Sequence, residues 1–365
     1  MVMAKTAIKR IGILTAGGDC PGLNAAIRAV GKACISHYGI EVLGIQDGFR
    51  GLVERHARPM ALDDFSGILT LGGTILGTGR DKPNKMRLAD GNYHDMTAEA
   101  VRAYEELGLH CLVCLGGGGT QRNALQLMQA GMRVLTLPKT IDNDIYGTDI
   151  SFGFDTAVTI ATEAIDRLHS TAESHQRIMV LEVMGNRTGW IALASGLAGG
   201  ADAILIPEIP YDPEAVARCI TGRSARGRRF SIVAIAEGAF AQAEVEKARQ
   251  EGRELPKTEG RTLGAGATIA ADLQERTGIE TRVTVLGYVQ RGGCPTPTDR
   301  LLATRVGTKA AELLAEGKTG CLVAIRGEKC KAIALEEVAG KRNEVPIDHP
   351  LVHSARQIGI ALGDD

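Results

Sequence analysis

The sequence predicts an α/β protein of two lobes, each built on a mostly parallel sheet flanked by helices. Three observations carry that expectation. Short apolar runs of strand length alternate with longer stretches of 3.6-residue periodicity. Glycine is abundant, at 46 residues, while aromatics make up only 4%. The strand-like runs end in glycine-rich or acidic turns rather than in hairpin dipeptides, as strand-to-helix connections do.

The buried-strand runs, in order, are Ile11 to Leu14, Glu41 to Ile45, Cys111 to Leu115, Val134 to Leu137, Ile178 to Val183, Ala203 to Ile206, Ser231 to Ala236, Arg282 to Leu286 and Leu322 to Ile325. Between them, Ala25 to Ile35, Thr120 to Ala130, Ala157 to Ala172 and Asp299 to Ala315 have helical spacing. Such alternation implies right-handed crossovers between parallel strands. Nine strands are many for one sheet with helices on both faces. Two lobes are therefore expected, with the ligand site in the cleft between them. The basic stretch Arg223 to Arg229 reads as a solvated helix end before a strand, with an anion or effector contact as the alternative. Glu244 to Glu259 reads as an exposed helix and loop.

A chain of 365 residues, 44% hydrophobic, can bury one large core or two moderate ones. Its net charge of −1 favours neither nucleic acid nor an anionic membrane as partner. The nearest approach to a membrane span, Ile191 to Pro207, is broken by three glycines and Asp202. Met1 to Arg10 shows no secretory leader, and eight irregularly spaced cysteines suit a reducing cytoplasm. Cys111 and Cys114 form a CxxC inside an apolar run with no partner pair, so they read as packing residues.

The turns carry the chemistry. After the first strand comes Thr15-Ala16-Gly17-Gly18-Asp19, with Pro21 opening a helix. Glycines there let backbone amides approach a phosphate at a helix N-terminus. Gly116, Gly117, Gly118, Gly119 and Thr120 follow the third strand as a loop suited to phosphate or nucleotide. No Gly-Lys-Ser/Thr ends it, so it is not a Walker loop, and no GxGxxG marks a dinucleotide site. Leu71 to Arg80 reads as another flexible loop, ending in a cation. Pro138-Lys139-Thr140-Ile141-Asp142-Asn143-Asp144 ends a buried strand with a hydroxyl and two carboxylates. That pattern suits a base for an alcohol beside a metal- or phosphate-organising neighbour. Glu182 to Gly189 and Leu286 to Gly293 end two further strands. Arg177, Arg187, Arg282 and Arg291 are read as clustering at these junctions, where they would clamp a phosphate monoester.

Together these segments resemble the 6-phosphofructokinase family over nearly the whole chain. The blocks are Ile11 to Arg28, Gly72 to Arg80, Gly116 to Ala124, Pro138 to Asp155, Ser174 to Glu208, Ile232 to Glu237 and Thr281 to Arg300. The resemblance implies a phosphofructokinase-like fold and phosphorylation of fructose 6-phosphate at its 1-hydroxyl, with Mg2+ as cofactor. It also implies a homo-oligomer, dimer or tetramer, in which a neighbouring subunit contributes to the active site. Lobes of residues 1–153 plus 290–345 for the phosphoryl donor and 154–289 plus 346–365 for the sugar phosphate are expected. Asp142 then corresponds to the general base, Asp144 to the metal carboxylate and Thr140 to a residue positioning the sugar. Gly18 and Arg80 correspond to contacts with the transferred phosphate. Met184, Gly185 and Glu237 face the sugar, Arg291 its phosphate, and Arg177 and Arg282 come from a neighbouring subunit.

Three positions depart from the family pattern. Gly118 replaces an aspartate, Asn186 replaces a transition-state arginine that adjacent Arg187 could replace, and Tyr288 replaces a histidine but can still donate a hydrogen bond. Gly119 resembles ATP-using members, while Lys139 resembles pyrophosphate-using ones, so ATP is the expected donor and pyrophosphate the alternative. The loss of charge at Gly118 and the gain at Lys139 are read as compensating. Arg28, Lys32 and Asp202 resemble parts of a nucleotide effector site, with solvated helix residues as the competing reading. A weakly catalytic regulatory subunit and a longer acceptor such as sedoheptulose 7-phosphate are the remaining alternatives.

Overall fold

A computed structural model of the chain describes residues 8–255 and 263–364. In chain order its strands are β1 (Arg10–Ala16), β2 (Glu41–Ile45), β3 (Ala57–Met60), β4 (Met86–Arg87), β5 (Tyr93–His94), β6 (Cys111–Gly116), β7 (Val134–Pro138), β8 (Ile178–Val183), β9 (Ala203–Leu205), β10 (Ser231–Ala236), β11 (Thr281–Val285), β12 (Cys321–Arg326) and β13 (Lys329–Ala334). The backbone divides into two compact units, Met1–Asp155 with Arg291–Asn343 and Thr156–Gln290 with Glu344–Asp365.

The first unit holds a seven-stranded sheet in the order β13-β12-β7-β6-β1-β2-β3. Its five inner strands run parallel, and β3 and β13 join the edges antiparallel. β6 and β7 are buried along their whole length, as strands covered on both faces require. The edge strands are the ones sequence periodicity misses. β13 reads Lys-Cys-Lys-Ala-Ile-Ala, and its lysines blunt an exposed edge instead of announcing a core strand. Cys111 and Cys114 are fully buried in β6, and desolvation pushes both thiols up.

The strand order reverses at β1, which has β2 on one side and β6 on the other. In such sheets ligands bind at that reversal, beyond the C-terminal strand ends. Register sharpens the point. Ala16 lies opposite Gly116, and Gly116 lies opposite Pro138. The turns after β1, β6 and β7 therefore leave the sheet from one row.

The second unit holds a four-stranded parallel sheet, β11-β8-β10-β9. Val285, Glu182, Ile235 and Leu205 form its corresponding row near the C-terminal ends. The apolar stretch after Gly189 forms helix Trp190–Ala198 before β9. Helix Gln242–Gln250 matches the start of the charged segment expected to be exposed, and residues 256–259 of it lie outside the described residues. No helix among the described residues is long and apolar enough to cross a membrane.

In the first unit, helix Leu23–Tyr38 packs against helix Pro297–Ala315, whose start carries the buried Asp299. Asp299 accepts from Gly153 N at 2.8 Å, just beyond the acidic turn. The two helices approach closely at Gly307, where a Cβ would lie 2.6 Å from Ala29 Cβ and 3.1 Å from Ala26 O. Gly307→Ala should therefore destabilise the fold by about 1–3 kcal/mol, read as a lowered urea midpoint.

Candidate functional site

The turn after β1 is shaped by two cations. Gly17 takes φ +85°, a left-handed conformation that favours glycine. Gly18 lies beneath the Arg291 guanidinium, so that a Cβ would meet Nη1 at 2.9 Å and Cζ at 3.0 Å. Arg291 Nη1 donates to Asp19 O at 3.0 Å, and the buried Lys139 ammonium donates to Gly18 O. The Leu71 to Arg80 segment is not the free loop expected. Thr78 Oγ1 donates to Gly17 O at 2.7 Å, Gly17 N donates to Gly79 O at 2.9 Å, and Thr15 bonds Thr74 at 3.1 Å. These bonds bring Arg80, the next residue, alongside the Gly17–Gly18 turn.

The four-glycine run also differs from a loop. Gly116 ends β6, Gly117 caps helix Gly118–Gln129, and Gly118 and Gly119 form its first turn. The first intrahelical bond runs from Gln121 N to Gly117 O, so the amides of residues 118–120 lack intrahelical acceptors. A Cβ at Gly118 or Gly119 would meet nothing within 4 Å, leaving open space before the helix. Gly116 and Thr120 also have a packing role. A Cβ at Gly116 would strike the Thr120 side chain at 2.1 Å, and Thr120 Oγ1 donates to Ala16 O at 3.4 Å. The two residues pack against each other, and the Thr120 hydroxyl proton is directed at backbone.

The acidic turn after β7 is held from several sides. Thr140 Oγ1 accepts from Asp142 N at 3.1 Å. Asn143 takes φ +53°, and its Oδ1 accepts from Ser151 N at 3.0 Å. Asn343 donates from Nδ2 to Asn143 O at 3.0 Å and from N to Asp144 O at 2.9 Å. Asp142 is only 9% exposed, and burial raises its carboxyl, opposed by Arg291 and Lys139. Asp144 is pushed up to about 6, first by burial and then by the charge of Asp142, with Arg342 pulling it back. Burial in turn lowers Lys139. The result is a buried Asp142 and a half-buried Asp144, both carboxyls raised, in a turn that carries two nearby cations and leaves the same strand row as an open helix N-terminus.

In the second unit, three side chains grip one turn. Met184 N donates to Gln290 Oε1 at 2.8 Å, Asn186 N to Glu237 Oε1 at 2.9 Å and Gly189 N to Glu208 Oε1 at 3.1 Å. Gly185 and Asn186 take positive φ, at 145° and 55°. Asn186 and Arg187 are exposed, and Tyr288 is 74% exposed. The expected arginine cluster does not form within the chain. Arg177 precedes β8 and Arg282 lies near the start of β11, where both pair with Glu280. Met184, Arg187 and Glu237 follow the opposite ends of the sheet, roughly 20 Å away along the strands. Strand direction separates residues that sequence proximity to strands had grouped.

Residues 10–314 match the family described as Phosphofructokinase. The chain belongs to the phosphofructokinase family. It is 52% identical, over 97% of its length and 99% of the relative's, to a protein of Propionibacterium freudenreichii subsp. shermanii named ATP-dependent 6-phosphofructokinase. A Spirochaeta thermophila protein of the same name is 54% identical over 99% of this chain and 100% of that one. The fold is similar to that of Pichia pastoris phosphofructokinase in the T-state, with TM-score 0.77 and 32% identity. That match covers 91% of this chain and 35% of the yeast chain, so this chain spans about a third of it.

Sequence reading of this phosphofructokinase family member missed Asn143, Ser151, Asn343, Glu208 and Gln290, which hold backbone rather than bear an obvious reactive group. Only Asn143 had a signal, an asparagine between two aspartates where a left-handed residue is tolerated. Because Asp144 has a folded-state pKa above its ordinary 3.8, its ionisation costs stability as pH rises from there through about 6. Asp144→Asn should melt higher than the parent above pH 6, by on the order of 1–3 kcal/mol, with the difference vanishing below pH 4. Thermal melts across that range read the effect.

Proposed function

We propose that this chain is an ATP-dependent 6-phosphofructokinase that transfers the terminal phosphoryl group of ATP to the 1-hydroxyl of fructose 6-phosphate, a glycolytic step. The observation that carries the reading is the buried Asp142–Asp144 turn, which leaves the same strand row as the Gly17–Gly18 turn and the open helix start at Gly118 and Gly119. Asp142 accepts the proton from the sugar's 1-hydroxyl. The resulting oxygen forms a bond to the terminal phosphorus as the bond to ADP breaks, and ADP leaves with the electron pair. A base with a raised pKa is a better proton acceptor than an ordinary aspartate. The Gly18 backbone and Arg80 are assigned to the charge on the transferred group, and Thr140 keeps Asp142 in place through its amide.

Mg2+ suits the residues present. Among the described residues no group of three or more His, Cys, Asp or Glu side chains is placed to hold a metal. One or two carboxylates completed by substrate phosphates is the usual Mg2+ arrangement. Asp144 is the carboxylate we assign to it, and the ion would neutralise phosphate charge during transfer. Open space at Gly118 and Gly119 accommodates a nucleotide, and Lys139, bonded to the Gly18 carbonyl, braces the turn instead of filling that space. These features favour ATP over pyrophosphate.

The sugar is assigned to Met184, Gly185, Asn186, Arg187, Glu237, Tyr288 and Arg291, with Arg177 and Arg282 supplied by a second copy in a cytoplasmic homo-oligomer. Support for the second copy is the remoteness of Arg177 and Arg282 from Met184 within one chain. Further support is the exposed apolar character of the edge they flank, where Val285 is 60% exposed.

Turnover assays with fructose 6-phosphate at matched magnesium should give fructose 1,6-bisphosphate with ATP and far less with pyrophosphate. Asp142→Asn should lower kcat by at least about a thousandfold while leaving sugar binding within a few fold. Product from neither donor would favour a regulatory subunit. Lys139 holds the Asp142 carboxyl down, so Lys139→Met should move the acid limb of the kcat/KM profile to higher pH. An unmoved limb would dissociate Asp142 from the titration.

A further inference from the structure

Glu208 follows β9 and sits outside every role assigned so far. Its Oε1 accepts two backbone amides, Gly189 N at 3.1 Å and Val345 N at 2.9 Å. Its Oε2 is sealed from solvent with no hydrogen-bond partner. Oε2 lies against Gly189, where a Cβ would come within 2.9 Å of it and within 2.3 Å of Ile206 Cβ. No larger residue fits at 189, so the carboxylate and the turn are matched in shape as well as bonded.

The two amides belong to different pieces of chain. Gly189 closes the turn that begins at Met184 and caps helix Trp190–Ala198. Val345, 3% exposed, opens the C-terminal stretch. That stretch packs over the same region. His349 meets the Trp190 ring edge to face at 5.0 Å, Ala361 pairs with Ala203 of β9, and Gly363 O accepts from Asp212 N at 2.6 Å. One carboxylate oxygen thus joins the C-terminal stretch to the turn carrying Met184, Gly185, Asn186 and Arg187. Gln290 and Glu237 hold that turn at two other amides, and Glu208 anchors the end next to the helix cap.

We propose that Glu208 is a positioning residue for the acceptor sugar, transmitting the seating of the C-terminal stretch to the Met184–Gly189 turn through the shared Gly189 and Val345 amides. The inference rests on the assignment of that turn to the sugar. Without the carboxylate, the turn keeps two of its three side-chain anchors and loses the one next to its helix cap. The sugar then has to order the turn on binding, and its affinity falls, while the nucleotide's does not.

The chain's single tryptophan, Trp190, directly follows the turn and serves as its reporter. Fructose 6-phosphate is titrated against Trp190 fluorescence, with initial rates measured in parallel over sugar and ATP. Glu208→Ala should raise the sugar Kd and KM about tenfold, leave KM for ATP unchanged, and lower kcat only a few fold. Glu208→Gln retains a carbonyl oxygen for both amides and should restore the sugar terms to near the parent values. If Glu208→Ala does not fold, Glu208→Asp, one methylene too short to serve both amides, should raise the sugar terms severalfold. A folded alanine or aspartate variant that binds sugar as the parent does overturns the proposal, whatever its melting temperature. A parent that neither binds nor phosphorylates the sugar would instead overturn the functional reading and this inference with it.

Discussion

Two aspartates two residues apart, Asp142 buried and Asp144 half-buried, share one turn, and the groups around it make that arrangement tolerable. Desolvation and mutual repulsion both favour protonation, while Lys139, Arg291 and Arg342 oppose it. Burial prevails, and both carboxyls stand above the ordinary aspartate value while remaining sensitive to neighbouring charge. The backbone must therefore be fixed by groups that add no charge. Asn143, Ser151 and Asn343 do this with neutral hydrogen bonds. The alignment of Ala16, Gly116 and Pro138 sets the starting point of the turn before any side chain contributes.

The second unit solves a different problem. Its Met184–Gly189 turn contains two residues in unusual backbone conformations and exposes Asn186 and Arg187. It is held by three acceptors that come from the ends of different elements, Gln290, Glu237 and Glu208. Its exposed side chains can therefore be replaced without disturbing the hydrogen bonds that shape the turn. That is a physical reason why the turn can keep its shape whatever side chain stands at Asn186.

The inner parallel strands and the helices with strong periodicity were legible in the sequence because burial on both faces writes continuous apolar runs. β3 and β13 were not, since edge strands alternate and carry charge. The reactive groups could be read from their chemistry, Asp142 and Asp144 above all. What could not be read was direction. Arg187 follows β8 and Arg282 lies near the start of β11, and only the parallel pairing of those strands reveals that they lie at opposite ends of the sheet. At Gly116 glycine also answers to the bulk of Thr120, a packing constraint that composition does not announce. The anchors Asn343 and Glu208 act on distant backbone, and no local pattern marks such a partner.

The hydrogen bond from Arg291 to Asp19 spans 272 residues, and the first unit is completed only by the stretch Arg291–Asn343. Sequence order therefore imposes a timetable on biosynthesis. The glycine turn after β1 leaves the ribosome early, but its guanidinium lid emerges only after almost the whole of the second unit. β7 likewise waits for β12 to cover its flank. During that interval a nascent chain presents an unfinished sheet edge, a surface prone to mispairing. All four strands of the second unit lie within Thr156–Gln290, so its sheet is suited to form first, before Glu344–Asp365 completes the unit.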